Sequence, residues 1–205
     1  MGHSQLCRQG YGLRDTTLTL SVVAIAVGMT ACASELPARS DHTDKASLFR
    51  PTATIEDIMR WMVDPAADAL WDAVVTVGTV DGIKTTQPET DDDWRALRRH
   101  AITLIEATNL LLINGRRVAG AESHSELPGV DLEPGEIELL VADDRETWMR
   151  LVHELHDAGV GVLDAVVATD VDELLVAGDQ LDLACENCHS VYWYPGYGGR
   201  PDDVP

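Results

Sequence analysis

The sequence is short of cations, aromatics and cysteines, and each shortage excludes something. Only 15 Lys and Arg stand against 35 Asp and Glu in 205 residues, a formal charge of −20. Such a surface repels a phosphate backbone, so no nucleic-acid partner is expected. A protein partner steered in by electrostatics should present a basic face, although acidity also serves plain solubility. Aromatics make up 5% of the chain, with a single Phe. Strand-like alternation is scarce and no internal repeat appears, which argues against an all-β or repeat architecture. The most apolar run, Leu18 to Ala31, has 14 residues. A spanning helix needs about 20. No nucleophile–base pair or substrate-positioning constellation stands out, so catalysis is not expected. What remains is 45% hydrophobic, enough for one core in one domain.

The N-terminus reads as an export signal. Arg8 and Arg14 precede the apolar stretch LTLSVVAIAVGMTAC, a basic region followed by a hydrophobic one and small residues before a cysteine. MTAC resembles a bacterial lipoprotein signal, with Met29 where leucine is usual. In that reading residues 1–31 are removed, Cys32 is acylated, and residues 32–51 are a flexible tether. Ala33 after the cysteine favours the outer membrane over the inner one. An ordinary signal peptide cut near ACA is the alternative. Loss of Arg8, Arg14 and Asp15 leaves 13 Lys and Arg against 34 Asp and Glu, a charge of −21.

Four later segments carry the three-four spacing of amphipathic helices. The first runs from Thr54 to Val77, with Ile55, Ile58, Met59, Met62, Ala66, Leu70 and Val74 on one stripe. Asp64-Pro65 interrupts it, as a kink or a restart capped by Asp64. The second runs from Asp91 to Asn114, opened by Thr90 with Asp93 and closed by Gly115. The third spans Arg145 to Thr169, and the fourth starts after Asp170 and stops before Pro195. Residues 78–90 read as a loop. Residues 115–143 read as a long one, of a length that is usually functional or mobile, within which EIELLV could be a short strand, although one strand has nothing to pair with. The expected fold is all-α, an antiparallel four-helix bundle over residues 52–196, with a tail over 197–205.

The fourth segment ends on CENCHSVYWYPG, residues 185–196. Cys185-x-x-Cys188-His189 is the c-type haem attachment pattern. Two thiols at this spacing add to the two vinyl groups of one haem, and the next histidine lies under the iron as proximal ligand. This composition yields the pattern by chance about 0.003 times per chain. A zinc half-site would need two further Cys or His ligands, and the mature chain has no other unassigned cysteine. A redox dithiol would want a βαβ context, and a disulfide is a third alternative for the pair. An export signal suits c-type haem, which bacteria attach outside the cytoplasm.

A haem motif closing the last of four helices resembles the class II cytochromes c, the cytochrome c′ family. The likeness covers residues 52 to 195 and is carried by CENCHSVYWYP and, in the first helix, DPAADALWDAV. The long 115–143 segment and the aromatic run after His189 depart from the usual pattern. The resemblance implies one covalent haem c on Cys185 and Cys188, with His189 on iron and a homodimer as one open state. In an up-down-up-down bundle the end of helix four lies level with the starts of helices one and three. Met59, with Met62 as the alternate, is then the candidate distal ligand, as in methionine-ligated members of the family. Plain core packing is the other reading of both methionines. Of the histidines, His153 and His156 are expected at the surface, His100 at the far end and His124 in the long loop. Trp61, Trp71, Trp94 and Trp148 are expected as core or rim anchors, with Tyr192 and Trp193 covering the haem.

The expectation is therefore a periplasm-facing, lipid-anchored monohaem cytochrome that transfers electrons to a redox partner with a basic face. The alternatives are a five-coordinate haem protein that binds small gas ligands and a non-haem envelope lipoprotein acting as a binding module.

Overall fold

The first described helix opens on a reciprocal cap. The Thr54 hydroxyl accepts from the Asp57 N–H at 3.0 Å, and the Asp57 carboxylate accepts from the Thr54 N–H at 2.9 Å. The structure is a computed structural model that describes residues 48–195, within the unit Ala46–Pro205. The signal segment, Cys32 and residues 197–205 lie outside the described residues.

From that cap the chain runs as α1 (Ile55–Ile58), a π-helix (Met59–Val63) and α2 (Asp64–Trp71) without a break. Pro65 explains the π-turn. It has no N–H for a bond to the carbonyl four residues back, and its ring would strike that carbonyl. Widening the preceding turn relieves both, and the Asp64 N–H donates five residues back to Met59 O. The expected kink is thus a π-bulge, and Asp64 makes no side-chain cap.

The helix ends at Trp71, short of Val77. The β-branched run from Val74 leaves it for a two-stranded antiparallel hairpin, β1 (Val75–Thr79) and β2 (Gly82–Thr86). Gly82 takes φ +124°, which an L side chain would resist. The loop expected at 78–90 is therefore a hairpin in its first part.

The cap expected at the start of the second segment is present, but that helix stops at Leu111 with Leu112 as its cap, three residues short of Asn114, so Gly115 does not close it. Thr90 and Asp93 form the capping box of α3 (Asp91–Leu111), and Gly115 past its end sits at φ +77°. Asp144 caps α5 (Arg145–Ala168), and Asp170 caps α6 (Val171–Tyr192). The segment at 115–143 contains a further helix, α4 (Pro134–Asp143). EIELLV lies in it, so the loop expected at 115–143 is a helix in its last part. Pro134 at the first helical position and the Glu133–Glu136 capping box supply the helix start.

The described fold is thus mainly helical, with five helices and one small sheet. Neighbouring helices run antiparallel. Trp148 Nε1 near the start of α5 donates to Leu111 O at the end of α3, at 3.3 Å. The Tyr192 hydroxyl at the end of α6 donates to Asp144 O before α5, at 3.3 Å. Trp71 Nε1 at the end of α2 donates to Gly178 O inside α6, at 3.1 Å. Two apolar clusters fill the interior. One gathers Leu70, Leu97, Leu104, Leu155, Val162 and Leu181, and the other Ile58, Val63, Leu111, Trp148, Val152 and Tyr192. Burial of each such side chain contributes about 1.5–3 kcal/mol. Trp148 is buried and Trp94 half-buried, whereas Trp61 is 72% exposed and anchors nothing in either cluster. Its neighbours Met59 and Met62, each four residues after a buried isoleucine (Ile55 and Ile58), pack on the second cluster instead. No described helix is long and apolar enough to cross a membrane.

Candidate functional site

Cys185, Cys188 and His189 share one face of the last turns of α6, because residues three and four apart on a helix are neighbours. Their surroundings differ. Cys185 packs on the cluster of Leu70, Leu104 and Leu181, while Cys188 packs on the cluster of Ile58, Trp148 and Tyr192. The two thiols therefore sit on adjacent halves of the interior, both half-buried and both free.

Burial pushes the Cys185 thiol up to about 12, with Asp182 adding to it. Burial likewise pushes Cys188 to about 11, with Glu154 adding. The negative end of the α6 dipole favours the same direction. A redox dithiol needs the reverse, a thiol lowered by a helix N-terminus or a nearby cation. No group of three or more His, Cys, Asp and Glu side chains is gathered to hold a metal ion among the described residues. Cys185, Cys188 and His189 thus do not converge on one ion as zinc ligands would.

His189 keeps 30% of its side chain exposed. Burial lowers its ring below the ordinary histidine range, opposed by the nearby carboxylates of Glu186 and Asp64. The neutral imidazole is the form that ligates a metal. Asp64 is itself raised by burial, and His189 pulls it the other way. The π-turn of the first helix and the end of α6 share one apolar cluster, on which Met59, Met62 and Cys188 pack. Both methionines are half-buried and pack on the cluster that holds Cys188.

Three aromatic contacts close the end of α6. The His189 ring meets Trp193 edge-on, with centroids 5.0 Å apart, and Tyr194 at 6.0 Å. The buried Tyr192 meets Trp148 edge-on at 5.3 Å. The Leu132 N–H donates to Trp193 O at 2.8 Å, so the 115–143 segment is tied to this end of the molecule. Its other ties run to the first helix and to α4. Ser123 donates to Glu56 at 2.8 Å, and Arg117 pairs with Glu138 at 2.8 Å.

The remaining histidines are scattered. His153 is exposed, as expected, and so is His124 in the long segment. His156 departs from expectation. It is half-buried, with Nδ1 3.0 Å from the hydroxyl of buried Thr108. Thr108 donates to Ile105 O at 2.7 Å, so it accepts from His156, which turns the ring inward. Glu186, Tyr194 and Leu132 were not singled out from sequence, and Asp64 only as a helix cap. The i, i+3 spacing of Glu186 and His189 inside CENCH is the signal that marks the first of them.

No family model, curated protein or solved structure matches the chain.

Proposed function

We propose that this chain is a monohaem c-type cytochrome that transfers electrons, built as an antiparallel four-helix bundle with its haem at the end of the last helix. The observation that carries it is the placement of Cys185-x-x-Cys188-His189. Both thiols are free and half-buried, Cys188 against the same cluster as Met59 and Met62 and Cys185 against the adjacent one. The residues fit the group. Cys185 and Cys188 would hold it by thioether bonds, His189 would be the proximal ligand, and Met59 or Met62 the distal one. When bound, haem c supplies an iron that changes oxidation state by one electron.

The chain's own residues do the rest. The apolar clusters on either side of the two thiols keep water from a bound macrocycle, and a low dielectric there sets the potential. The acidic surface steers a redox partner with a basic face. Acylated Cys32 would hold the protein to the periplasmic side of a membrane, preferably the outer one. Its role is carriage, not catalysis.

The test is an absorption spectrum of the chain made with a cytochrome c maturation system, oxidised and reduced, with and without carbon monoxide. A low-spin reduced spectrum indifferent to carbon monoxide supports a sixth protein ligand and electron transfer. A high-spin spectrum that shifts with carbon monoxide overturns that function in favour of gas binding. A chain that stays free of haem overturns the cytochrome reading altogether.

A further inference from the structure

The aromatic run after the haem motif and the long 115–143 segment meet at one place, His189. Tyr194 folds back over the last turn of α6, its N–H donating to His189 O at 3.0 Å. Its hydroxyl donates to Glu186 Oε2 at 2.8 Å. The other oxygen of that carboxylate, Oε1, lies 3.9 Å from His189 Nδ1. This is beyond hydrogen-bond range, and closing it takes about 1 Å of movement. The Tyr194 and Trp193 rings flank the imidazole, so it has little room to turn over. Trp193 is held in turn by the Leu132 N–H. Without that tie two residues beyond a helix end would be expected to fray.

We propose that Glu186, held by Tyr194 and backed by the Leu132–Trp193 tie, is a positioning residue that keeps Nδ1 of His189 protonated and presents Nε2 for ligation. The inference rests on the cytochrome reading for its use, but the orientation itself is a property of the protein chain. A carboxylate facing Nδ1–H selects the tautomer with a free Nε2 and makes the ring a stronger donor. A stronger donor favours the oxidised metal, so Glu186 should hold the potential down. The departures from the family pattern thereby acquire a purpose. The long segment ties Trp193, the aromatic pair flanks the ring and fixes the carboxylate, and the carboxylate sets the imidazole.

Two readouts test it on the full-length chain. The first is the ¹⁵N spectrum of the His189 ring in protein made without haem maturation. The expected result is the Nδ1–H tautomer at neutral pH, shifting towards Nε2–H in Glu186→Gln. Finding Nε2–H in the parent would overturn the proposal, whether or not the chain carries haem. The second is the reduction potential of the matured protein. Glu186→Gln should move the oxidised-to-reduced ratio at fixed potential about tenfold towards reduced, a rise of about 59 mV for one electron. Tyr194→Phe should shift it the same way by less, and by nothing further once Glu186 is Gln. An unchanged potential in Glu186→Gln, or a Tyr194→Phe effect that persists without Glu186, would sink the proposed relay. A parent chain without covalent haem refutes the cytochrome reading instead, and the ring tautomer still decides the positioning claim.

Discussion

Gly159 marks a close approach of α3 and α5, and replacing it gives a worked test of the packing. A Cβ at this position would lie 2.9 Å from Leu104 Cδ2 and 3.0 Å from Ile105 Cγ1. Comfortable carbon contacts need about 3.5–4.0 Å. Leu104 is fully buried and Ile105 buried, so neither has free space to retreat into. The added methyl should cost about 1–3 kcal/mol of overpacking. Against this, Gly to Ala in a helix interior gains about 0.8–1.0 kcal/mol. Gly161, two residues on in the same helix, supplies the control. A Cβ there meets nothing within 4 Å, so Gly161→Ala should simply stabilise by the helix term. The difference between the two variants isolates the packing cost, about 1–3 kcal/mol. At this chain length that corresponds to a melting temperature about 2–12 °C lower for Gly159→Ala than for Gly161→Ala. Thermal unfolding followed by circular dichroism would measure it. If the two variants were equally stabilised, α3 and α5 would not approach closely at Gly159, and the account of the core would fail there.

Other consequences follow from the same structure. Thr108→Val removes the hydroxyl that serves Ile105 O and His156 Nδ1 and should destabilise by about 1–3 kcal/mol in urea unfolding; no loss would mean His156 points elsewhere. The Thr147 N–H, joined by the Thr147 hydroxyl, holds the Asp144 carboxyl below its ordinary range. A depressed acid contributes stability above its unfolded value, about pH 4, and that contribution goes as pH falls through the folded value. Asp144→Asn keeps a capping oxygen without the titration, so the parent should lose stability relative to the variant as pH falls from about 5 through 4 and past the lowered folded value. A constant difference would contradict the cap. In matured protein, Met59→Ala or Met62→Ala, whichever residue is the distal ligand, should open the iron to carbon monoxide while the other variant does not. Indifference in both would exclude these residues as ligands.

Much of the helical frame was legible because its caps are local. Thr90 with Asp93 and Asp170 at the start of the last segment are short-range signals, and α3 and α6 begin just after Thr90 and Asp170. Of the stripe Trp94, Leu97, Ala101, Leu104, Thr108 and Leu111, all are buried as the spacing predicts except Trp94, which is half-buried. The errors lie where two local signals compete. Val74 to Val77 continues a helical stripe and is also β-branched, and the hairpin closed by Gly82 wins. EIELLV is apolar enough for a strand, but a strand there has no partner, and Pro134 with Glu133 and Glu136 starts a helix instead. The outward turn of Trp61 and the inward turn of His156 depend on the π-bulge and on Thr108 across the helix interface, and neither is visible in a periodicity. At the candidate site, Cys185, Cys188 and His189 were legible from spacing alone. Their neighbours Leu132 and Asp64 were not, because they come from distant parts of the chain.

The most direct measurement is the spectrum in alkaline pyridine of protein made with a maturation system and then fully denatured. Cells that also mature a known c-type cytochrome supply the control. The account predicts one haem per chain that stays with the unfolded polypeptide and is lost when Cys185 and Cys188 are both changed to serine. A haem-free chain beside a correctly matured control, or haem that dissociates on denaturation, would contradict it.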